Sequence, residues 1–189
     1  MRGTKLKLNE QSNYLMPRIS SNSFTVGEKV VYPNHGVGVI EQINSRSMSG
    51  RQEAFYHLKI AANNMMVMIP ATNAQDVGLR KLIKKREVNK VLLRLKKAKV
   101  ANTPDWKNRF KENSEKMRTG CIFELADVLR SLSQLSVNRI LSFREKKMLD
   151  RSRQLIITEV ATVSKVTEDK AGQLIDRALL QPQDLKANA

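Results

Sequence analysis

Two histidines, one cysteine and one tryptophan are the residues of this 189-residue chain on which nucleophilic or stacking chemistry could rest. His35 falls in the turn-forming run NHG, His57 lies inside QEAFYHLKIA, and Cys121 stands far downstream of both. A thiolate nucleophile needs a base within hydrogen-bond reach, and no local spacing brings these residues together. An enzyme is therefore not expected. The glycines of HGVGV match neither the phosphate-cradling loop nor the dinucleotide fingerprint. No cluster has metal-ligand spacing, and a lone cysteine builds neither a disulfide nor a thiolate cage. Neither a metal nor a cofactor is expected.

The charge is more informative. Lysine and arginine number 34 against 18 acids, a net charge of +16 with a pI near 10.2. Such a balance suits a polyanion. Through Gly78 there are 8 basic and 5 acidic residues, and from Leu79 onward 26 and 13, so the partner belongs to the second half. There LRKLIKKREVNKVLLRLKKAK holds one acid, Glu87. Charge runs are usually solvated faces, but one this unbalanced repels itself unless a polyanion or an acidic protein relieves it. The single tryptophan, Trp106, lies in TPDWKNRF, with Lys107, Arg109, Lys111 and Lys116 on the same expected helix. An indole is most often buried. Between cations it could instead be a wedge pushed into a base step, with the flanking charges on phosphates. The residues alone leave both readings open.

These side chains must be carried by two differently patterned halves. KVVYP, VGVIEQINSRSM, QEAFYHLKIA and MMVMIP are short runs rich in β-branched and aromatic residues, separated by turn-formers. Gly36 and Gly38 flank a tight connection where positive φ could be required. Four or five strands in so short a span suit a small curled sheet. In MMVMIP, alternation sends Met66 and Met68 to the face opposite Met65, Val67 and Ile69, and the closing proline points to a sheet edge. Exposed methionines there would make an adaptable protein-docking surface.

Beyond Gly78 the period becomes 3.6. Val88, Val91, Leu92 and Leu95 share a helical face. Thr103-Pro104 reads as a helix start and Gly120 as the matching stop. Residues 121–137 form a further helix through Phe123, Leu125, Ala126, Leu129 and Leu132. Ser142 and Glu145 complete a capping box that opens a long helix with the stripe Met148, Leu149, Leu155, Ile156, Val160, Val163. A last helix starts at Thr167 and carries Leu174, Ile175 and Leu179. The expected class is α+β in two domains: a small Tudor-like or SH3-like β barrel over 24–80 and an all-α helical domain over 81–183. An N-terminal extension (1–23) and a tail (184–189) flank them. No run of about 20 apolar residues could span a membrane, and no secretory signal opens the chain, so a cytoplasmic protein is expected.

FTVGEKVVYPNHGVGVIEQI and MIPATNAQDVGLRKLI, followed by WKNRFKENSEKMRTG, DVLRSL and LSFREKKMLDRSRQLI, resemble the CarD/CdnL family of bacterial transcription regulators. The resemblance spans roughly residues 24–180, and its first segment is shared with transcription-repair coupling factors. It implies that the N-terminal module binds the β subunit of RNA polymerase, through positions matching Arg46, Met68 and Pro70. It also implies that the helical domain holds promoter DNA at the upstream edge of the bubble, without strong sequence preference. There Trp106 would be the wedge, with Arg109, Lys111 and Lys146 on the DNA backbone. The protein would then act as a monomer, associated with the nucleoid through polymerase, and stabilise the open complex. Met68 stands where some relatives have arginine, Asn108 where some have a base, and Cys121 where an aspartate cap is common. The alternative is a stand-alone basic DNA- or RNA-binding protein that never touches polymerase.

Overall fold

The computed structural model describes residues 23–48, 51–97 and 106–180. The first half is an antiparallel sheet of β1 (Lys29–Tyr32), β2 (Gly36–Met48), β3 (Arg51–Ile60), β4 (Met66–Pro70) and β5 (Arg80–Lys81), in the order β4-β3-β2-β1-β5. Alternation buries Val30, Ile40, Tyr56, Leu58, Ile60 and Ile69 on the inner face, where Phe24 and Leu79 join them. Phe24 meets the Tyr56 ring edge-on, and its N–H donates to the Tyr56 hydroxyl at 3.4 Å. A bulge places Glu41 as an extra residue between Ile40 and Gln42, where β2 leaves the core and continues as an exposed hairpin arm. The strand pattern of the sequence survives intact, with β4 on a sheet edge; the two-residue β5 was too short to give a pattern.

Of the two glycines in HGVGV, only Gly36 needs positive φ, at +91°. Gly38 is required for space: a Cβ there would lie 2.7 Å from both the Leu58 side chain and the Lys59 carbonyl oxygen across the ladder.

Among the described residues the second half has five helices: α1 (Lys85–Lys97), α2 (Trp106–Thr119), α3 (Ile122–Asn138), α4 (Phe143–Ser164) and α5 (Glu168–Leu179). Their core gathers Val91, Leu95, Ile122, Leu129, Leu132, Ile156, Val160 and Ile175. Ser142 and Glu145 make both bonds of the expected capping box, and Thr167 accepts from the Lys170 N–H. Gly120 closes α2 with φ +69°. Cys121 gives α3 no side-chain cap; its N–H donates to the Thr119 hydroxyl, which itself donates to Glu124. On α5 the buried face is Ala171, Gly172, Ile175 and Ala178, and Leu174 is exposed, contrary to expectation, because the helical period places it on the flank of that face. The expected cap at Thr103-Pro104, most of the N-terminal extension and the C-terminal tail lie outside the described residues.

The halves are locked together. Arg80 on β5 donates to both oxygens of Glu159 on α4, at 2.7 and 2.8 Å, and its Nε donates to the Gly120 carbonyl at 2.8 Å. Glu159, 1% exposed, also accepts the Ile83 N–H at 3.1 Å. Pro33 packs between Gly78 and Gly120, 2.8 Å from where a Cβ of either would stand. Arg151 donates to the Asn34 carbonyl, and Leu155 closes over Gly36. The VVYP-NHG turn is thus the seat of the helical module, so its residue types are set by contact as well as by turn geometry.

Candidate nucleic-acid interface and docking edge

Charge in the helical half is sorted by pairing. Within the basic run, Arg80 is spent on Glu159, Lys81 on Glu28 at 2.8 Å, and Arg94 on Asp127 at 2.7 Å. Val88, Val91 and Leu95 turn α1 into the core. The apolar side of the run is therefore internal structure, while Lys84, Lys85, Arg86, Lys90, Lys96 and Lys97 stay exposed and keep its other side cationic. The first turns of α2 and α4 are arranged differently. Glu145 accepts the Ser142 N–H at 3.0 Å and its hydroxyl at 2.9 Å, Arg109 at 3.2 Å and Arg139 at 2.8 Å. Burial alone would push the Glu145 carboxyl up. The Ser142 hydrogen bonds, then Arg109 and Arg139, outweigh burial and hold it below the ordinary carboxylate value. One buried carboxylate thus ties the α2 start, the α3–α4 turn and the α4 start together while two guanidinium groups converge on it. Lys107, Lys111, Arg144, Lys146 and Lys147 are exposed on these same helices.

Four positions had been expected to meet DNA. Lys111 and Lys146 are exposed on α2 and α4. Arg109 is 9% exposed and turned onto Glu145, so its geometry is that of a brace and differs from the phosphate contact the resemblance implied. A charged group on a helix face is drawn inward when a buried carboxylate lies within reach, and only the tertiary fold supplies that carboxylate. Trp106 is the first residue of α2; its side chain lies outside the described residues. Asn108 is exposed beside it. Reading the sequence missed Val137, Ile140 and Phe143, which are exposed around the α3–α4 turn. The available signal was the placing of large apolar residues next to the S-x-x-E box, where no core stripe needs them.

The sheet offers a second surface. Arg46 pairs with Glu53, Phe55 with Pro70, and His57 with Met68. Directly opposed residues share a face, and so do residues two apart along a strand. Arg46, Met68 and Pro70 therefore lie on the one face opposite the core. Met66 and Met68 are exposed there, and Arg46 stands on the hairpin arm. Glu53 accepts the Thr72 hydroxyl at 2.7 Å, which ties the arm to the segment after β4. His57 lies on the same face with Nε2 3.3 Å from Asn44 Nδ2; His35 stacks on Tyr32 at 4.8 Å, its pKa lowered by burial and then by Arg151. Cys121 belongs to the other half. Among the described residues no group of three His, Cys, Asp or Glu could hold a metal ion, and no helix is long and apolar enough to cross a membrane.

Fold and surfaces define a class: a two-part protein whose sheet presents an uncovered edge and whose helices present cations beside exposed apolar groups. The comparisons agree part by part. The family model "CarD-like/TRCF RID domain" matches residues 24–83, and "CarD, C-terminal domain" matches residues 90–176. The chain is 30% identical over 145 residues to "Putative transcription factor YdeB" of Bacillus subtilis (strain 168), covering 77% of this chain and 95% of that protein. It is also similar to the structure titled "CdnLNt from Myxoccoccus xanthus", at 43% identity over 32% of this chain and 86% of that one, with a TM-score of 0.28. The chain belongs to the CarD/CdnL family, a family of transcription factors and not of enzymes.

Proposed function

We propose that this protein is a transcription regulator that docks on the RNA polymerase β subunit and stabilises the promoter open complex. Residues 24–80 form the docking module and residues 81–183 the DNA-binding one. The carrying observation is the shared outer face of Arg46, Met68 and Pro70, on a sheet with β4 at its edge. An uncovered edge with adaptable methionines suits protein docking. The helical module meets DNA at the upstream edge of the bubble, with Lys111 and Lys146 on phosphates and Trp106 as the wedge. Arg109 acts by holding the α2 start against α4. Such phosphate contacts bind weakly and without sequence preference, with dissociation constants on the order of 10⁻⁴ to 10⁻⁶ M. Docking on polymerase compensates by raising the local concentration at the promoter. A wedge favours the melted state only if it binds that state better, and unstacking is easier where pairing is already lost. The protein acts as a monomer in the cytoplasm, held at the nucleoid by polymerase.

The test is open-complex lifetime with and without the protein. Trp106→Ala should shorten the lifetime and leave polymerase binding intact, and an unchanged lifetime removes the wedge. Arg46→Glu should abolish capture of core polymerase with the fold retained; normal capture would favour a stand-alone DNA- or RNA-binding protein.

A further inference from the structure

At the corner where α3 turns into α4, Ile140 and Phe143 are 93% and 82% exposed, and Val137, 83% exposed, lies one turn back on α3. None belongs to the helical core. Phe143 follows the Ser142 cap, so the capping box and the Arg109–Glu145–Arg139 cluster hold its backbone in place. Cations surround the corner: Arg139, Arg144, Lys146 and Lys147. Arg144 lies over the Phe110 ring at 6.0 Å. Behind it runs a groove of about 700 Å³, floored by Phe110, Met117 and Met148 and edged by Lys147, Arg151 and Asp150.

We infer that this corner is a stacking platform for unpaired bases, with Phe143 and Ile140 receiving base faces and the surrounding cations following the phosphates. An unpaired nucleotide joins a flat apolar face to an anionic group a few ångströms away, and an exposed aromatic among cations is its complement. Paired bases hide those faces in the stack, so the platform discriminates melted strand from duplex. A second copy of the chain would bring like charges together around a self-matching patch. A membrane surface would need an apolar face continued along a helix, whereas Lys146, Lys147 and Asp150 follow Phe143 outward on α4. The role in transcription rests on the proposed placement of the helical module at the bubble edge; the preference for unpaired strand does not.

The experiment uses the full chain and labelled oligonucleotides, a mixed-sequence single strand and its duplex, read by fluorescence anisotropy over a salt series. Ile140→Ala/Phe143→Ala removes exposed groups only, and circular dichroism checks that the fold is kept. Single-strand affinity should fall about tenfold while duplex affinity and the salt slope stay unchanged. Phe143→Trp should retain single-strand binding. Unchanged single-strand affinity, or an equal loss on duplex, overturns the inference. So does a variant whose only defect is lost self-association in sedimentation or lost binding to phosphatidylglycerol vesicles. Open-complex lifetime with Trp106→Ala, run in parallel, separates the two claims. If only that variant shortens the lifetime while the double variant still loses single-strand affinity, the platform stands and its role at the bubble edge is wrong. If only the double variant shortens it, the wedge is wrong and the platform stands.

Discussion

Glu145 is the residue on which the candidate DNA interface turns. It ends the capping box of α4 and is also the buried anion toward which Arg109 and Arg139 lean. Its lowered pKa has a defined consequence. The unfolded chain protonates this carboxyl first as pH falls, so its contribution is complete above the ordinary carboxylate value and disappears as pH drops through the lower folded value. Urea midpoints measured from neutral pH to below that value should therefore fall less steeply for Glu145→Gln than for the wild type. Arg109 and Lys111, two residues apart, should separate cleanly. Arg109→Ala should destabilise the protein by about 1–3 kcal/mol in urea, because it strips a buried carboxylate of one partner. Lys111→Ala should leave stability almost unchanged and lower the salt slope of DNA binding by about 1. A stability loss from the lysine change, or none from the arginine change, would reverse the roles assigned here.

At the scale of elements, caps and tight contacts fix where helices begin and strands turn. Ser142→Ala removes the acceptor for the Glu145 N–H and a donor to its carboxylate, and should cost about 1–2 kcal/mol. If denaturation shows no loss, the capping box is not what seats α4. The β3–β4 ladder imposes another constraint. With Phe55 opposite Pro70 and His57 opposite Met68, β4 can present methionines outward only in this register. A slip of one residue would send Ile69 to the outside and Met68 to the core.

For the whole molecule, the Arg80–Glu159 pair decides whether two modules behave as one body. Breaking a buried pair by removing one partner typically costs about 3–5 kcal/mol, while replacing both with apolar groups is often far milder. Glu159→Gln should therefore split a single calorimetric unfolding transition into two, the sheet and the helices melting separately. Arg80→Met/Glu159→Met should restore part of the loss. Two transitions in the wild type would mean that the junction does not couple the modules. Coupling has a functional consequence under the proposed role: docking by the sheet fixes where the helical face can reach.

Much of this was legible in the residues. Runs rich in β-branched and aromatic residues between turn-formers gave the four longer strands, the closing proline gave the β4 edge, and 3.6 periodicity with Gly120, Ser142 and Thr167 gave helix limits. These signals are local, set by backbone geometry and by hydrogen bonds within a few residues. Charge balance, equally independent of fold, placed the excess of cations in the second half. What remained hidden depends on pairs remote in sequence. Arg80 meets Glu159 across 79 positions and Arg109 meets Glu145 across 36. Whether an arginine faces water or a buried carboxylate is decided by which helix packs beside it, and no spacing rule encodes that. The same holds for Arg46, Met68 and Pro70, which share a face only because three strands pair in one register, and for Phe143, left outside because the core closed without it.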